Sequence, residues 1–583
     1  MFTKDSVEWI PVGTFDELVD EQPVVVRGAD RQILVFRDGE GLRAVDNRCP
    51  HMGFPLNKGT LNNGMVTCYW HHARFDGESG CTFDLFADDV PVYNTKIEDG
   101  IAYVESYPRV PASKSYFRSR LDRGIEQNIS IVISKSIIGL LEAGATIEEL
   151  VEQLVDFGQA NHESWSSGMT MTIMAANLWP FLSDNTRAYF AVEAALQLAS
   201  DCAGQASRRD RLALEGNQAS LERLRVWSKG WAQVRQRDGL ERTLLTVVDR
   251  YGVDGLGEIL FDVVNERIYS STGHVLDFSN KAMELVELLG EEKAQAFLPI
   301  LVPSIAQARG AEERSSWRSP VDLIELIHRQ EDRLKSIKVL DKGKPLPDDF
   351  RTVLLGDVPS GILDTIIDAL EEGVDPCLIA REIAYAASLR LAWFPQSNDI
   401  GDWFNPVHTF NFAHAVHRGL LRSKEKTFAA LRGLLSGAMS VYLDRFLNIP
   451  PARIPGKPAD LEGLPEEASE LLSGLKSCLD STTTAMKAGA YAVAYLRKGY
   501  DASALVDALV FLTLREDLDF HKMQNMEAAV RESQHWPEGS VEREHLYLGA
   551  IRYLAAHCPT QRSRSKMTQI AIRLQRKEAI FEG

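Results

Sequence analysis

The sequence predicts two domains of different class: a small all-β domain over residues 1–108 and a large all-α domain, built from about four helical modules, over residues 116–583. Three observations carry this prediction. Short apolar stretches alternating with period 2, broken by Gly and Asp, run to about residue 108 and then stop. Beyond "SYPRVPASKS" (106–115), apolar residues recur instead at helical spacing. Within that helical part, a glycine turn followed one helix later by a histidine comes round four times.

In the β part, "PVVVRGADRQILVFRDGEGLRAVDN" precedes, and "CTFDLFADDVPVYNTKIEDGIAYVE" follows, two loops rich in ligating side chains. The loops are "CPHMGFPL" (49–56) and "CYWHHARF" (68–75), in which Cys49 and His51 are one residue apart and Cys68 and His71 two. A four-cysteine zinc ribbon needs two more cysteines. A finger with two cysteines and two histidines sets both histidines after both cysteines on a helix, so neither zinc pattern fits. Two thiolates on one iron and two imidazoles on another do fit the alternating order. Gly53, Pro55, Gly59 and Gly64 supply turn chemistry around the ligands.

On these residues, about the first hundred positions resemble the Rieske family of ferredoxin and oxygenase type. The resemblance implies a 2Fe-2S cluster held by Cys49, His51, Cys68 and His71, with His72 an exposed neighbour. High-potential members carry one further cysteine in each loop, paired as a disulfide, where this sequence has Phe54 and Trp70. Cys81 falls outside both loops and reads as a packed thiol.

At 583 residues with 45% apolar composition, the chain is long enough for two to four domains with ordinary cores. A net charge of −18 argues against nucleic acid or an anionic membrane as partner and is compatible with a basic redox partner. "MFTKDSVEWI" lacks a basic region followed by an apolar run, and no stretch of eighteen uncharged apolar residues occurs. Seven scattered cysteines make no disulfide framework. A cytoplasmic protein is expected. "GVDGLG" (252–257) has the wrong glycine spacing for a dinucleotide site, so electrons are expected from an external NAD(P)H-dependent reductase or a ferredoxin.

Residues 109–115 read as a linker, and the proline-rich "GKPLPDDF" (343–350) suggests two halves of the helical domain, 116–340 and 350–583. The recurring pattern is a helix, a glycine, any residue, then Thr or Asp opening the next helix, at Gly144, Gly252, Gly373 and Gly499. His162, His274, His408 and His521 follow at 18, 22, 35 and 22 residues from those glycines, the third behind the insertion "LAWFPQSNDIGDW". Four equivalent modules would converge four imidazoles on one centre, and a one-electron donor on the same chain selects non-haem mononuclear Fe(II) over zinc, copper or nickel. Asp277, Asp402, Glu527 and a carbamylated Lys281 are candidate oxygen ligands, and His414 and His417 candidate ligands or supporting groups.

The helical part is similar in style to the questin-oxidase-like proteins, which implies an apolar aromatic or polycyclic substrate. Trp165, Phe278, Trp403, Phe404 and Phe412 are candidates for its pocket. The expected function is that of a Rieske-type non-haem iron oxygenase, mono- or dioxygenase, acting with O2, and an oligomer is compatible with it. Two alternatives stand beside it. One is a di-iron helical oxygenase built on the Glu-x-x-His pairs Glu325/His328 and Glu542/His545. The other is a Rieske electron carrier fused to a helical interaction scaffold.

Overall fold

The computed structural model describes residues 8–109, 113–206, 212–337, 341–576 and 578. Residues 110–112 of the expected linker and 338–340 at the expected half-domain boundary lie outside the described residues. By its internal contacts the chain separates into two compact units, one comprising 1–146 and 563–583, the other 147–562.

The first unit opens with nine strands in three antiparallel sheets. They are β1 (Trp9–Thr14), β2 (Val24–Arg27), β3 (Gln32–Asp38), β4 (Gly41–Asp46), β5 (Thr60–Asn62), β6 (Met65–Thr67), β7 (Arg74–Asp76), β8 (Tyr93–Glu98) and β9 (Ile101–Pro108). The sheet orders are β1-β9-β8, β2-β3-β4 and β5-β6-β7. β3 is apolar without interruption from Ile33 to Phe36 because both of its faces are covered. Ile33 and Val35 pack with Tyr93, Ala102 and Val104. Leu34 and Phe36 point the other way, onto the core that holds Cys49, Val66, Cys68 and Phe75. The cluster loops therefore sit directly on the floor of the second core.

Strand structure ends at Pro108, as the change of periodicity predicts, yet the compact unit runs on through the helices Lys114–Glu126 and Ser130–Glu142 and takes in Ser563–Gln575. Polar contacts explain the extension. Asp88 accepts from Arg120 at 2.8 Å and from Lys135, which also donates to the Pro50 carbonyl of the first loop. Arg48 donates to the carbonyls of Leu574 and Glu578 at 3.0 and 2.8 Å.

The second unit is helical. Each of the four predicted glycine turns is present, Gly144 at the end of the first unit's main segment and Gly252, Gly373 and Gly499 in the second unit, at φ of 78°, 67°, 97° and 75°. At these left-handed positions a side chain would be strained, so glycine closes the helix. One element beyond each turn comes a helix of the central layer: Ser167–Leu178, His274–Leu289, Phe404–Arg422 and His521–Ser533. The four pack in a ring, each against the next and the last against the first. Among the described residues no helix is long and apolar enough to cross a membrane.

Candidate metal centres

In the first unit, the two cluster loops close by the same hydrogen-bond pattern. Cys49 N donates to Phe54 O and Gly53 N to Cys49 O, at 2.8 and 2.7 Å. In the second loop Cys68 N donates to Ala73 O and His72 N to Cys68 O, at 2.8 and 3.1 Å. His72 thus stands in the second loop where Gly53 stands in the first, and it adopts a left-handed φ of 61° against 80° for Gly53. Its role is conformational, and its side chain is exposed.

The buried thiols of Cys49 and Cys68 lie within hydrogen-bond reach, and that bond draws Cys68 down to about 6 while Cys49 is pushed up. The His51 and His71 rings meet edge-on with centroids 4.8 Å apart. Burial, then the neighbouring His71 and Lys135, lower His51 to about 4 and keep its imidazole neutral. Two facing sulfurs and two adjacent imidazole rings form the donor set of a 2Fe-2S cluster with mixed ligation. Phe54 and Trp70 face each other across the loops with centroids at 5.9 Å, an aromatic contact where high-potential members place a disulfide. Cys81 corrects the expectation of a packed thiol. It is exposed, because the turn after β7 carries it out of the core.

In the second unit, His274, His408 and His521 converge. Their donor atoms all lie within 4.8 Å of one another, the one such group of three or more potential metal ligands among the described residues. His408 Nε2 is 3.0 Å from His521 Nε2, which is 3.4 Å from His274 Nε2. An ion about 2.1 Å from each nitrogen, with ligand angles between octahedral and tetrahedral, would set the nitrogens roughly 3.0–3.4 Å apart, and the His408–His521 and His521–His274 spacings fall in that range. Burial and the neighbouring imidazoles hold His274 down at about 4 and depress His408 further. Both are therefore neutral, the ligating form. Asp519 Oδ1 lies 3.0 Å from His521 Nδ1, which fixes the proton there and leaves the Nε2 lone pair facing its partners.

Local structure places each ring. His274 is the first residue of its helix, after Gly273 at φ 91°, where a Cβ would come 2.8 Å from Phe412 Cβ. His521 is also the first residue of its helix, and Asp519 caps its N–H at 3.0 Å. Phe278 stacks on His274, Phe404 on His408, and Phe520 lies 4.3 Å from His521, so three phenylalanines surround the rings.

The other predicted residues go elsewhere. His162 turns back on its own loop, its Nδ1 accepting from Ser164 N at 3.1 Å, and does not belong to the group. Neither do Asp277, Asp402, Lys281 or Glu527. Lys281, fully buried, is an ammonium held by Glu527 at 2.8 Å and Glu284 at 3.1 Å, and Asn177 joins the same carboxylates. Asp277 accepts from Gln524 in that buried polar layer. His414 and His417 both use Nδ1 on Glu532, at 2.6 and 2.9 Å. Of the expected pocket aromatics, Phe278 and Phe404 flank the histidines. Trp165 donates to Thr170 and packs on Phe297, Trp403 packs with Phe394, and Phe412 with Tyr269. Glu325 and His328 are exposed, and Glu542 pairs with Arg351 while His545 bonds Tyr385. Asp519 and Phe520 were not singled out in the sequence, although "DFH" places an acid two residues before a histidine and could have drawn attention.

Residues 8–94 match the family of the Rieske [2Fe-2S] domain. The anthranilate 1,2-dioxygenase ferredoxin subunit of Burkholderia cepacia is 32% identical over 94 residues, 16% of this chain and 87% of that protein. Protein TIC 55 of Arabidopsis thaliana, chloroplastic, is 37% identical over 75 residues, 13% of this chain and 14% of that one. The 4beta-methylsterol monooxygenase of Methylococcus capsulatus is 39% identical over 75 residues, 13% and 20% of the two chains. The chain thus spans only a small part of the length of these last two relatives. Several relatives are named monooxygenases or dioxygenases, and the similarity covers the Rieske domain alone. By its first domain the chain belongs to the Rieske [2Fe-2S] family.

Proposed function

We propose that this protein is a Rieske-type non-haem iron oxygenase whose second metal is held by His274, His408 and His521. The observation that carries the reading is the convergence of three imidazoles in a helical unit on the same chain as a one-electron centre. When loaded, the two centres supply single-electron delivery at the cluster and O2 activation at the iron. The protein's own part is to hold and shield. Asp519 fixes the tautomer of His521, the three phenylalanines limit water around the rings, and three protein ligands leave coordination positions free. Imidazole alone suits several metals, and the iron-sulfur partner favours iron among them.

An external reductase or ferredoxin delivers the electrons. This is supported by the cluster loops, where His71 is exposed and Tyr69 and Trp70 are 68% and 42% exposed, an unusual concentration of open aromatic surface beside redox ligands. The substrate is an aromatic with an apolar ring face, and the oxygenase names among the relatives support that class of reaction.

The test is the metal and acid-labile sulfide content of anaerobically purified protein, native and with His274→Ala plus His408→Ala. Three irons per two sulfides in the native chain, falling to two in the variant with the cluster spectrum intact, is the expected result. Two irons in both would return the chain to an electron carrier with a helical scaffold.

A further inference from the structure

His408 also lines a cleft of about 390 Å³ on the second unit, together with Tyr269, Arg314, Trp317, Asn405 and Asp444. Tyr269 and Trp317 stack in its wall with centroids 5.4 Å apart and planes 30° from parallel. The polar groups of this cleft are incompletely used. Arg314 is half-buried, yet among the described residues its guanidinium has no hydrogen bond or ion pair, and only its main chain is bonded. Other arginines of this unit are paired: Arg267 with Glu313 and the Gln233 carbonyl, Arg432 with Glu331 and the Asn265 carbonyl. Asp444 is 4% exposed, and its Oδ2 has no partner. A buried carboxyl oxygen left open beside stacked rings is expensive for a folded chain unless something else completes it, and the half-buried guanidinium at the same cleft is free to pair with a ligand.

We propose that this cleft is the substrate site of the oxygenase and that it takes an anionic aromatic: a flat ring bearing an ionised oxygen, carboxylate or phenolate, that pairs with Arg314, and a second oxygen that meets Asp444. This deepens the function proposed above and rests on it for the identity of the site as the place of reaction. The recognition itself depends only on the cleft. Arg314 supplies charge and directed N–H donors to the anion, Tyr269 and Trp317 supply the apolar wall, and Asp444 discriminates ring oxygens by hydrogen bonding. The net charge of −18 would repel a free anion in general, so an unpaired arginine in this cleft is a selective exception.

The experiment is calorimetric titration of the full chain, purified free of second-site metal, with 2-naphthoate, 1-hydroxy-2-naphthoate, 2-naphthol above its pKa, and the neutral 2-naphthylmethanol. Binding of the anionic probes at least about tenfold tighter than the neutral one, lost by a similar factor in Arg314→Gln and partly kept in Arg314→Lys, is expected. Comparing naphthoate with naphtholate distinguishes a carboxylate from a phenolate ligand. Asp444→Asn should alter the hydroxynaphthoate more than the plain naphthoate. Equal affinity for neutral and anionic probes, no binding at all, or an unchanged Arg314→Gln overturns the proposal. The Arg314 guanidinium is only half-buried and makes no ion pair or hydrogen bond among the described residues, so its variants should fold, and unchanged melting verifies this. Because the second-site metal is absent from the titration, failure here leaves the oxygenase reading standing, and failure of the metal count leaves this binding result intact.

Discussion

His408 Nε2 and His521 Nε2 face each other at 3.0 Å, while Asp519 holds the Nδ1 proton of His521. Two ring nitrogens from different helices meet lone pair towards lone pair unless a proton or a cation lies between them. His274 Nε2, 3.4 Å from His521, makes the cation the better occupant.

Divalent iron or cobalt, added anaerobically, should therefore stabilise the protein. At a free concentration 100 times its Kd the gain is about 2.7 kcal/mol, read as a rise in Tm. His408→Ala should abolish the rise. A metal-induced shift that persists in that variant would place the ion elsewhere.

Asp519→Asn should lower metal affinity by roughly 10- to 100-fold, since the amide cannot anchor the His521 tautomer as a carboxylate does. The Asp519 side chain is 45% exposed, so the fold should survive. Equilibrium dialysis with Co(II) measures the affinity, and an unchanged Kd counts against the role given to this acid.

Glu532 carries a stability prediction with a defined pH sense. Burial alone would raise its pKa, but the charges and hydrogen bonds of His417 and His414 outweigh burial and hold it well below the ordinary 4.5. A carboxyl depressed in the folded state contributes stability that is fully present above its unfolded pKa and is lost as pH falls towards the folded value. Glu532→Gln should be destabilised by about 3 kcal/mol near neutrality, with part of the gap to the native chain closing below pH 4.5, as urea unfolding at several pH values would reveal.

Lys135 brings a buried amine against the first cluster loop, pulled down to about 7 by burial, and its ammonium form is bonded to the Pro50 carbonyl and to Asp88. A cation nearby favours the reduced, more negative cluster. Lys135→Met should lower the reduction potential by on the order of tens of millivolts, observable by redox-poised EPR on the loaded protein. No change in potential would reduce Lys135 to a packing role.

Much of this protein was legible in its sequence because the decisive information was local. The cysteine and histidine spacing of the two cluster loops, the end of period-2 alternation at Pro108 and the four glycines that close helices each depend on a few neighbouring residues. Left-handed φ at Gly144, Gly252, Gly373 and Gly499 is a demand on a single backbone position, and sequence meets it visibly.

What only the tertiary structure decided was which side chains meet. His274 and His521 stand 22 residues after their glycines and open their helices, whereas His162 stands 18 after Gly144, one helical turn too early. At the matching register the first module has Ser166, which caps its helix by accepting from Met169 N, so that module contributes no imidazole. His414, His417, Lys281 and Glu527 lie on the same central helices, but the two histidines bond Glu532 and Lys281 bonds Glu527 and Glu284 in buried ionic layers, pairings set by the packing of helices distant in sequence. The cleft of Arg314 and Asp444 likewise joins segments more than a hundred residues apart. Sequence determined the elements and their ends, because those follow from short-range sterics and periodicity. Tertiary packing determined the two candidate sites of the helical unit, because convergence is a property of how helix faces are turned towards each other.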